Sequence, residues 1–139
     1  REDVAYAEAV ERAVPPGTID WRGFLPTDRF QADLARCRLF LNTPKWNEAF
    51  GNVVVEAMAC AVPVAAYARG GPAELVVEGV NGALAAPDDL EGLEAAARRA
   101  LRIDLQSCRA WAERHHSTAV FTARIEDWLQ SARQATAPG

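Results

Sequence analysis

The sequence predicts an α/β fold, a doubly wound parallel sheet with helices on both faces. Three observations predict it. Short apolar runs rich in β-branched and aromatic residues alternate with stretches of helical period. Short turn-bearing connections such as Pro15-Pro16-Gly17, Gly70-Gly71-Pro72 and Asn81-Gly82 separate them. No repeat, low-complexity tract or linker interrupts the chain before a tail at Ala135–Gly139, so the 139 residues read as one domain.

Taken in order, residues 2–13 read as a helix because Val4, Ala7, Val10 and Val14 fall near helical spacing, and Pro15-Pro16-Gly17 stops it. Thr18–Phe24 reads as a short strand. Pro26-Thr27-Asp28 opens a second helix running to about Cys37, with Thr27 or Asp28 available to accept from its first N–H groups. Arg38–Asn42, centred on Leu39-Phe40-Leu41, reads as a short buried strand. Thr43–Gly51 is then a loop and Asn52–Cys60 a densely apolar helix. Val62–Tyr67 is the next strand, with Pro63 tolerable at its start. Pro72 suits the first turn of a short helix, and Asn81-Gly82 precedes a weak strand at Ala83–Ala86. Pro87-Asp88-Asp89 caps a helix to about Ile103, and helices over 105–116 and 118–133 complete the chain. Ligands of such sheets bind outside the carboxyl ends of the strands, at a switch in strand order. The loops to inspect are therefore 24–28, 43–52 and 67–73.

Composition excludes several classes. Lys and Arg number 15 against 19 Asp and Glu, a net charge of -4, which argues against nucleic acid or an anionic membrane as the main partner. No apolar run approaches the ~20 residues of a spanning helix. Cys37, Cys60 and Cys108 are far apart and odd in number, so neither a disulfide framework nor a zinc site is readable. Each lies in an apolar stretch and reads as a small core residue, with a reducing cytoplasm as the natural setting. Arg1-Glu2-Asp3 does not resemble a signal peptide. The missing initiator Met suggests an excerpt from a longer chain, or processing.

The stretch Glu48–Glu56, EAFGNVVVE, carries the chemistry. Glu56 lies among Val53, Val54, Val55, Ala57, Met58 and Ala59, and a carboxylate rarely stays in such company without a partner. Two readings fit: a salt bridge or narrow solvent-facing stripe, or a carboxylate accepting both hydroxyls of a ligand's vicinal diol. Glu48 sits just ahead of Gly51, which lets backbone approach a ligand closely, unless it is only a loop glycine. The N–H groups of Gly51, Asn52, Val53 and Val54 point out of the helix start, where the dipole favours a phosphate. Glu56 is about 6 Å further along by helix rise. A nucleoside diphosphate would thus have its phosphates at the helix start and its ribose at Glu56.

Other residues read as structural. His115 and His116 are adjacent and cannot share a helix face, so no metal site is expected. Asp88-Asp89 is a cap and not a D-x-D motif. Glu74 reads as structural, Trp111 and Trp128 as core, and Lys45 as an exposed loop residue.

Thr43-Pro44, Glu48-Ala-Phe-Gly51, Glu56-Ala-Met-Ala, Pro63-Val64, Gly70-Gly71, Glu74, Gly79-x-Asn81-Gly82 and Pro87-x-Asp89 occur in one order and spacing. As a set, over roughly residues 18–133, they resemble the donor-binding, C-terminal half of retaining GT-B glycosyltransferases of family 4. Trp46-Asn47-Glu48 resembles a bacterial subset with an aromatic just before the first Glu. The resemblance implies that Glu48, taken as the catalytic residue, contacts hydroxyls of the donor sugar and that Glu56 binds the ribose. It places the amides of Phe50, Gly51, Asn52 and Val53 on phosphate and sugar, Gly23, Phe24 and Leu25 near the base, and Gly70 and Gly71 at the same mouth. It further implies transfer of a hexose from a nucleoside diphosphate sugar, UDP-hexose favoured, to an unknown acceptor. No cofactor or metal is implied, and the leaving phosphate helps deprotonate the acceptor.

The chain departs from the family pattern where Ala61 replaces a usual Gly, at about 1 kcal/mol if the position is left-handed. Thr43 replaces a common Ser. The family also carries an Arg and a Lys that neutralise the pyrophosphate, on a first strand-turn-helix that precedes this chain's start. That leads us to expect a sheet lacking its first strands, completed by preceding residues, an acceptor-binding N-terminal domain in the same protein, and no activity in residues 1–139 alone. A related nucleotide-sugar epimerase, or a non-catalytic nucleotide-binding module, would use the same nucleotide site.

Overall fold

The computed structural model describes residues 4–135; the start Arg1-Glu2-Asp3 and tail residues 136–139 lie outside the described residues. In chain order the elements are α1 (Val4–Ala13), α2 (Thr27–Leu34), β1 (Phe40–Asn42), α3 (Asn52–Ala59), β2 (Val64–Tyr67), α4 (Gly71–Leu75), β3 (Gly82–Ala85), α5 (Leu90–Ala100), α6 (Leu105–His116) and α7 (Thr118–Ala135). The strands form a parallel sheet in the order β1-β2-β3, with Phe40 opposite Val64 and Ala66 opposite Leu84. That order follows the sequence, so no switch in strand order falls among the described strands.

Helices cover both faces, and every residue of the central strand β2 is buried. On one face Val64 and Ala66 pack with Val54, Ala57 and Met58 of α3 and with Cys108 and Ala112 of α6. On the other, Ala65, Tyr67, Ala83 and Ala85 pack with Leu93, Ala96 and Ala100 of α5. Met58 is the largest wholly buried side chain, and its burial contributes about 1.5–3 kcal/mol. Asp89 caps α5 by accepting the Gly92 N–H at 2.9 Å. On the free edge of β3, Glu78 accepts the Leu84 N–H at 3.0 Å and Arg99 donates to the Leu84 carbonyl at 3.1 Å. Burial alone would raise the Glu78 pKa, but the Arg99 and Leu84 hydrogen bonds and the Arg99 charge outweigh it, and the net shift is downward.

Several expectations are corrected. Thr18–Phe24 forms no strand: β1 pairs with β2 alone among the described strands, and a strand without a neighbour has no ladder to join. Phe24 is fully exposed. The strand over 38–42 is shorter than expected and not buried, since Leu41 is 53% exposed. The second helix stops at Leu34, and neither Thr27 nor Asp28 caps it; the Pro26 carbonyl accepts the Phe30 N–H instead. Cys37, beyond that helix end, is exposed, whereas Cys108 is a core residue whose thiol burial pushes up to about 11. Trp128 is 65% exposed on α7 and not in the core.

Two local devices shape the ends of these elements. Asn81, read above as a turn residue within the Gly79-x-Asn81-Gly82 motif, is wholly buried. Its Oδ1 accepts the Val77 N–H at 2.7 Å and its Nδ2 donates to the Leu75 carbonyl at 3.0 Å, tying the end of α4 to the start of β3. Ala61 has φ 63 and closes α3. Its N–H bonds the Met58 carbonyl and the Val62 N–H the Ala57 carbonyl, both at 2.9 Å, the Schellman pattern that favours glycine. Ala61→Gly is therefore expected to stabilise the protein by about 0.5–1 kcal/mol, the strain relieved less the added freedom of the unfolded chain. A rise in the urea midpoint at unchanged slope checks it.

Candidate functional site

The site grows from the loop between β1 and α3. Backbone contacts pin that loop from below. The Gly71 N–H donates to the Glu48 carbonyl at 2.7 Å. A Cβ on Gly70 would lie 2.2 Å from the Glu48 carbonyl oxygen, and one on Gly71 would lie 2.1 Å from that of Phe50. Both glycines are thus required by close backbone approach, and Gly70 also has φ 61. Arg69, with only 16% of its side chain exposed, donates to the Pro44 carbonyl at 3.0 Å and pairs with Asp88 at 2.8 Å. It links the loops that follow all three strands. Above this base, the Glu48 carboxylate accepts the Trp46 indole N–H at 3.0 Å.

Gly51 then turns the chain into α3 with φ 90 and ψ 56, a left-handed conformation suited to glycine. No side chain caps α3. Of the four amides expected to point out of this end, that of Val54 bonds the Gly51 carbonyl at 2.9 Å instead; no side chain caps the others, and the positive pole of α3 lies there.

Glu56 lies half buried in the second turn of α3, and no hydrogen-bond or ion-pair partner for its carboxylate is found among the described residues. The salt-bridge reading is therefore not met there. Its charge does act on Cys60, whose thiol pKa is raised first by burial and then by Glu56. Two clefts meet at Glu56. One, of about 370 Å³, is lined by Gly23, Phe24, Leu25 and Val53 together with Thr27 and Phe30. The other, of about 660 Å³, is lined by Phe50 and Asn52 with Val55 and residues of α6 and α7. So the structure brings Gly23, Phe24, Leu25, Val53, Glu56, Phe50 and Asn52 to these two clefts. Glu48, Gly51, Gly70 and Gly71 line neither, and stand in the loop and its backbone support.

His115 and His116, expected on different faces of their helix, both line the second cleft, within an aromatic wall that sequence reasoning missed. Trp111 stacks on His115 at 4.6 Å and lies 5.1 Å from His116, while Phe50 meets His116 edge-on at 6.0 Å. The i, i+4 spacing of Trp111 and His115 was the available signal. The His116 pKa is lowered by burial, then by the charges of Arg124 and His115, which favours its neutral form. A separate groove lined by Arg22, Arg29 and Arg36 includes only Leu25 of the residues singled out above, and Arg22 there is paired with Asp20 and Asp33. Among the described residues no cluster of three His, Cys, Asp or Glu is placed to hold a metal ion. No described helix is long and apolar enough to cross a membrane.

The parallel sheet with helices on both faces defines an α/β domain, and the loop leading into the uncapped start of α3 leaves the carboxyl end of β1. The family model described as glycosyl transferases group 1 matches residues 7–118, and the chain belongs to that family. Among solved structures, the Anabaena protein Alr3699/HepE in complex with UDP is 29% identical with a TM-score of 0.77, over 91% of this chain and 36% of that one. The sucrose-phosphate synthase of Thermosynechococcus elongatus, at 20% identity and a TM-score of 0.78, covers 94% of this chain and 34% of its own, and supports the GT-B fold. Sucrose synthase 2 of Zea mays is 59% identical over 39 residues, 28% of this chain and 5% of that protein. An uncharacterized glycosyltransferase of Methanocaldococcus jannaschii is 43% identical over 67 residues, 46% of this chain and 19% of that protein. The chain thus spans about a third of these solved structures and a smaller part of the curated relatives.

Proposed function

We propose that this chain is the donor-binding part of a retaining, metal-independent glycosyltransferase that moves a hexose from a nucleoside diphosphate, UDP favoured, to an acceptor hydroxyl. The observation that carries the reading is Glu56, a half-buried carboxylate with no hydrogen-bond or ion-pair partner among the described residues, standing between two clefts one turn beyond an uncapped helix start. Its two oxygens suit the ribose diol. The cleft at Gly23, Phe24 and Leu25 takes the base, and the amides at Gly51, Asn52 and Val53 take the phosphates. HepE complexes with UDP and with UDP-glucose support the choice of donor.

In this reading the bond from the anomeric carbon to the diphosphate oxygen breaks on the face where the acceptor oxygen bonds. The acceptor proton passes to the leaving phosphate, giving a glycoside of retained configuration and a nucleoside diphosphate. The start of α3 stabilises the charge that develops on that phosphate. Glu48 orients the sugar as the catalytic carboxylate. Gly70 and Gly71 shape the mouth by holding the Glu48–Phe50 backbone. The remainder of a two-domain protein supplies the acceptor site and the basic residues on the pyrophosphate. Three free cysteines suit the reducing cytoplasm, where we place the reaction.

Calorimetric titration of the full-length protein with UDP and UDP-glucose, in the presence of a chelator, tests the reading. Glu48→Ala is expected to leave UDP affinity within about twofold, and to abolish most of the extra affinity that the glucose adds. Loss of UDP binding as deep as that of Glu56→Ala would reverse the division of roles.

A further inference from the structure

Trp46 combines two features that the reaction as described does not use. Its indole N–H donates to Glu48 Oε2 at 3.0 Å, while the side chain is 65% exposed. An indole nitrogen can only donate, and a carboxylate can only accept, so the pairing is charge-assisted and has one sense. The backbone of Glu48 is already fixed: its carbonyl accepts the Gly71 N–H, and the absent Cβ of Gly70 leaves room for it. What the backbone leaves unfixed is the Glu48 side chain, and a mobile glutamate loses rotamer freedom when a ligand orders it. A hydrogen bond present before the ligand arrives removes part of that cost. No ring contact to Trp46 is recorded among the described residues, and with its edge tied to Glu48 its broad face remains open to solvent. An aromatic ring with one polar edge engaged and an apolar face exposed fits a ligand that is apolar on its face and polar at its rim. A pyranose ring has that character.

We propose that Trp46 is a positioning residue for Glu48 and that its indole face stacks on a sugar ring held by that carboxylate. This rests on the reading of Glu48 as the carboxylate that contacts the donor sugar. It assigns the discrimination between a nucleoside diphosphate and its hexose conjugate to the pair Trp46–Glu48, and it leaves the nucleotide itself to Glu56 and the start of α3.

The test is calorimetric titration of the full-length protein with UDP and with UDP-glucose, for wild type and for Trp46→Phe, Trp46→His and Trp46→Ala. Trp46→Phe keeps a ring and removes the donor; Trp46→His keeps a ring and an N–H. UDP should bind all four alike, which shows that the loop and α3 are intact. UDP-glucose should bind about tenfold more weakly to Trp46→Phe, as expected for a lost hydrogen bond to a charged acceptor. It should bind within about threefold of wild type to Trp46→His, and most weakly to Trp46→Ala. Unchanged UDP-glucose affinity in both Trp46→Phe and Trp46→Ala would overturn the inference while leaving the donor site standing. A parallel loss of UDP in every variant would reduce Trp46 to a structural residue and overturn it too. A wild type that gains no affinity from the glucose would overturn the role of Glu48, and this inference with it.

Discussion

Glu56→Ala is expected to weaken nucleotide binding by about 1–3 kcal/mol, roughly ten- to a hundredfold, while leaving the fold intact. The magnitude follows from two charge-assisted hydrogen bonds to a ribose diol, set against the desolvation of a carboxylate that is only half buried in the free protein. The fold should survive because Glu56 has no hydrogen-bond or ion-pair partner among the described residues, and its neighbours Val54, Ala57 and Met58 anchor α3 without it. Removing a carboxylate from an apolar helix removes an unfavourable burial, so the unfolding midpoint should stay level or rise slightly. Titration calorimetry and urea unfolding on the same samples separate the two effects. A variant that unfolds early would mean that Glu56 serves the fold.

Gly71→Ala is expected to do the reverse, destabilising the protein by about 3 kcal/mol or more. A Cβ there would lie 2.1 Å from the Phe50 oxygen, 2.5 Å from its carbonyl carbon and 2.7 Å from its Cα. These are backbone atoms facing a buried Gly71, and no side chain can rotate away. The loop that carries Glu48 and Phe50 must move as a unit, so nucleotide-sugar binding should fall as well. Gly79→Ala is the control. Gly79 has φ +75 but nothing within 4 Å of the added Cβ, so its cost is conformational alone, about 1 kcal/mol. Equal unfolding midpoints for the two variants would refute the steric account of Gly71.

Much of the site is legible in the sequence because it is local. A dense apolar run from Asn52 to Ala59 makes a helix, a lone carboxylate inside it stands out, and a glycine just ahead of it marks the turn. Resemblance then added Gly23, Phe24 and Leu25, which the structure sets on one cleft with Val53 and Glu56. What stayed hidden is long-range. Arg69 carries no local signal, yet it joins Pro44 and Asp88 from positions 25 and 19 residues away. Asn81 reads as a turn residue, and only the fold reveals that its amide is sealed between α4 and β3. Thr18–Phe24 failed for a related reason. Its β-branched and aromatic residues satisfy the local pattern, but a strand exists only through its neighbour. Trp128 satisfied a helical pattern too, and its exposure depends on what α7 faces rather than on its own spacing.

If the start of α3 and Glu56 hold a nucleoside diphosphate, the bound nucleotide shields those segments from solvent. Hydrogen–deuterium exchange on the full-length protein, with and without saturating UDP and in the presence of a chelator, tests it most directly. Protection is expected in peptides covering 23–25 and 50–56, and its loss in Glu56→Ala at the same UDP concentration. Binding without protection in either segment, or no binding at all, would contradict it.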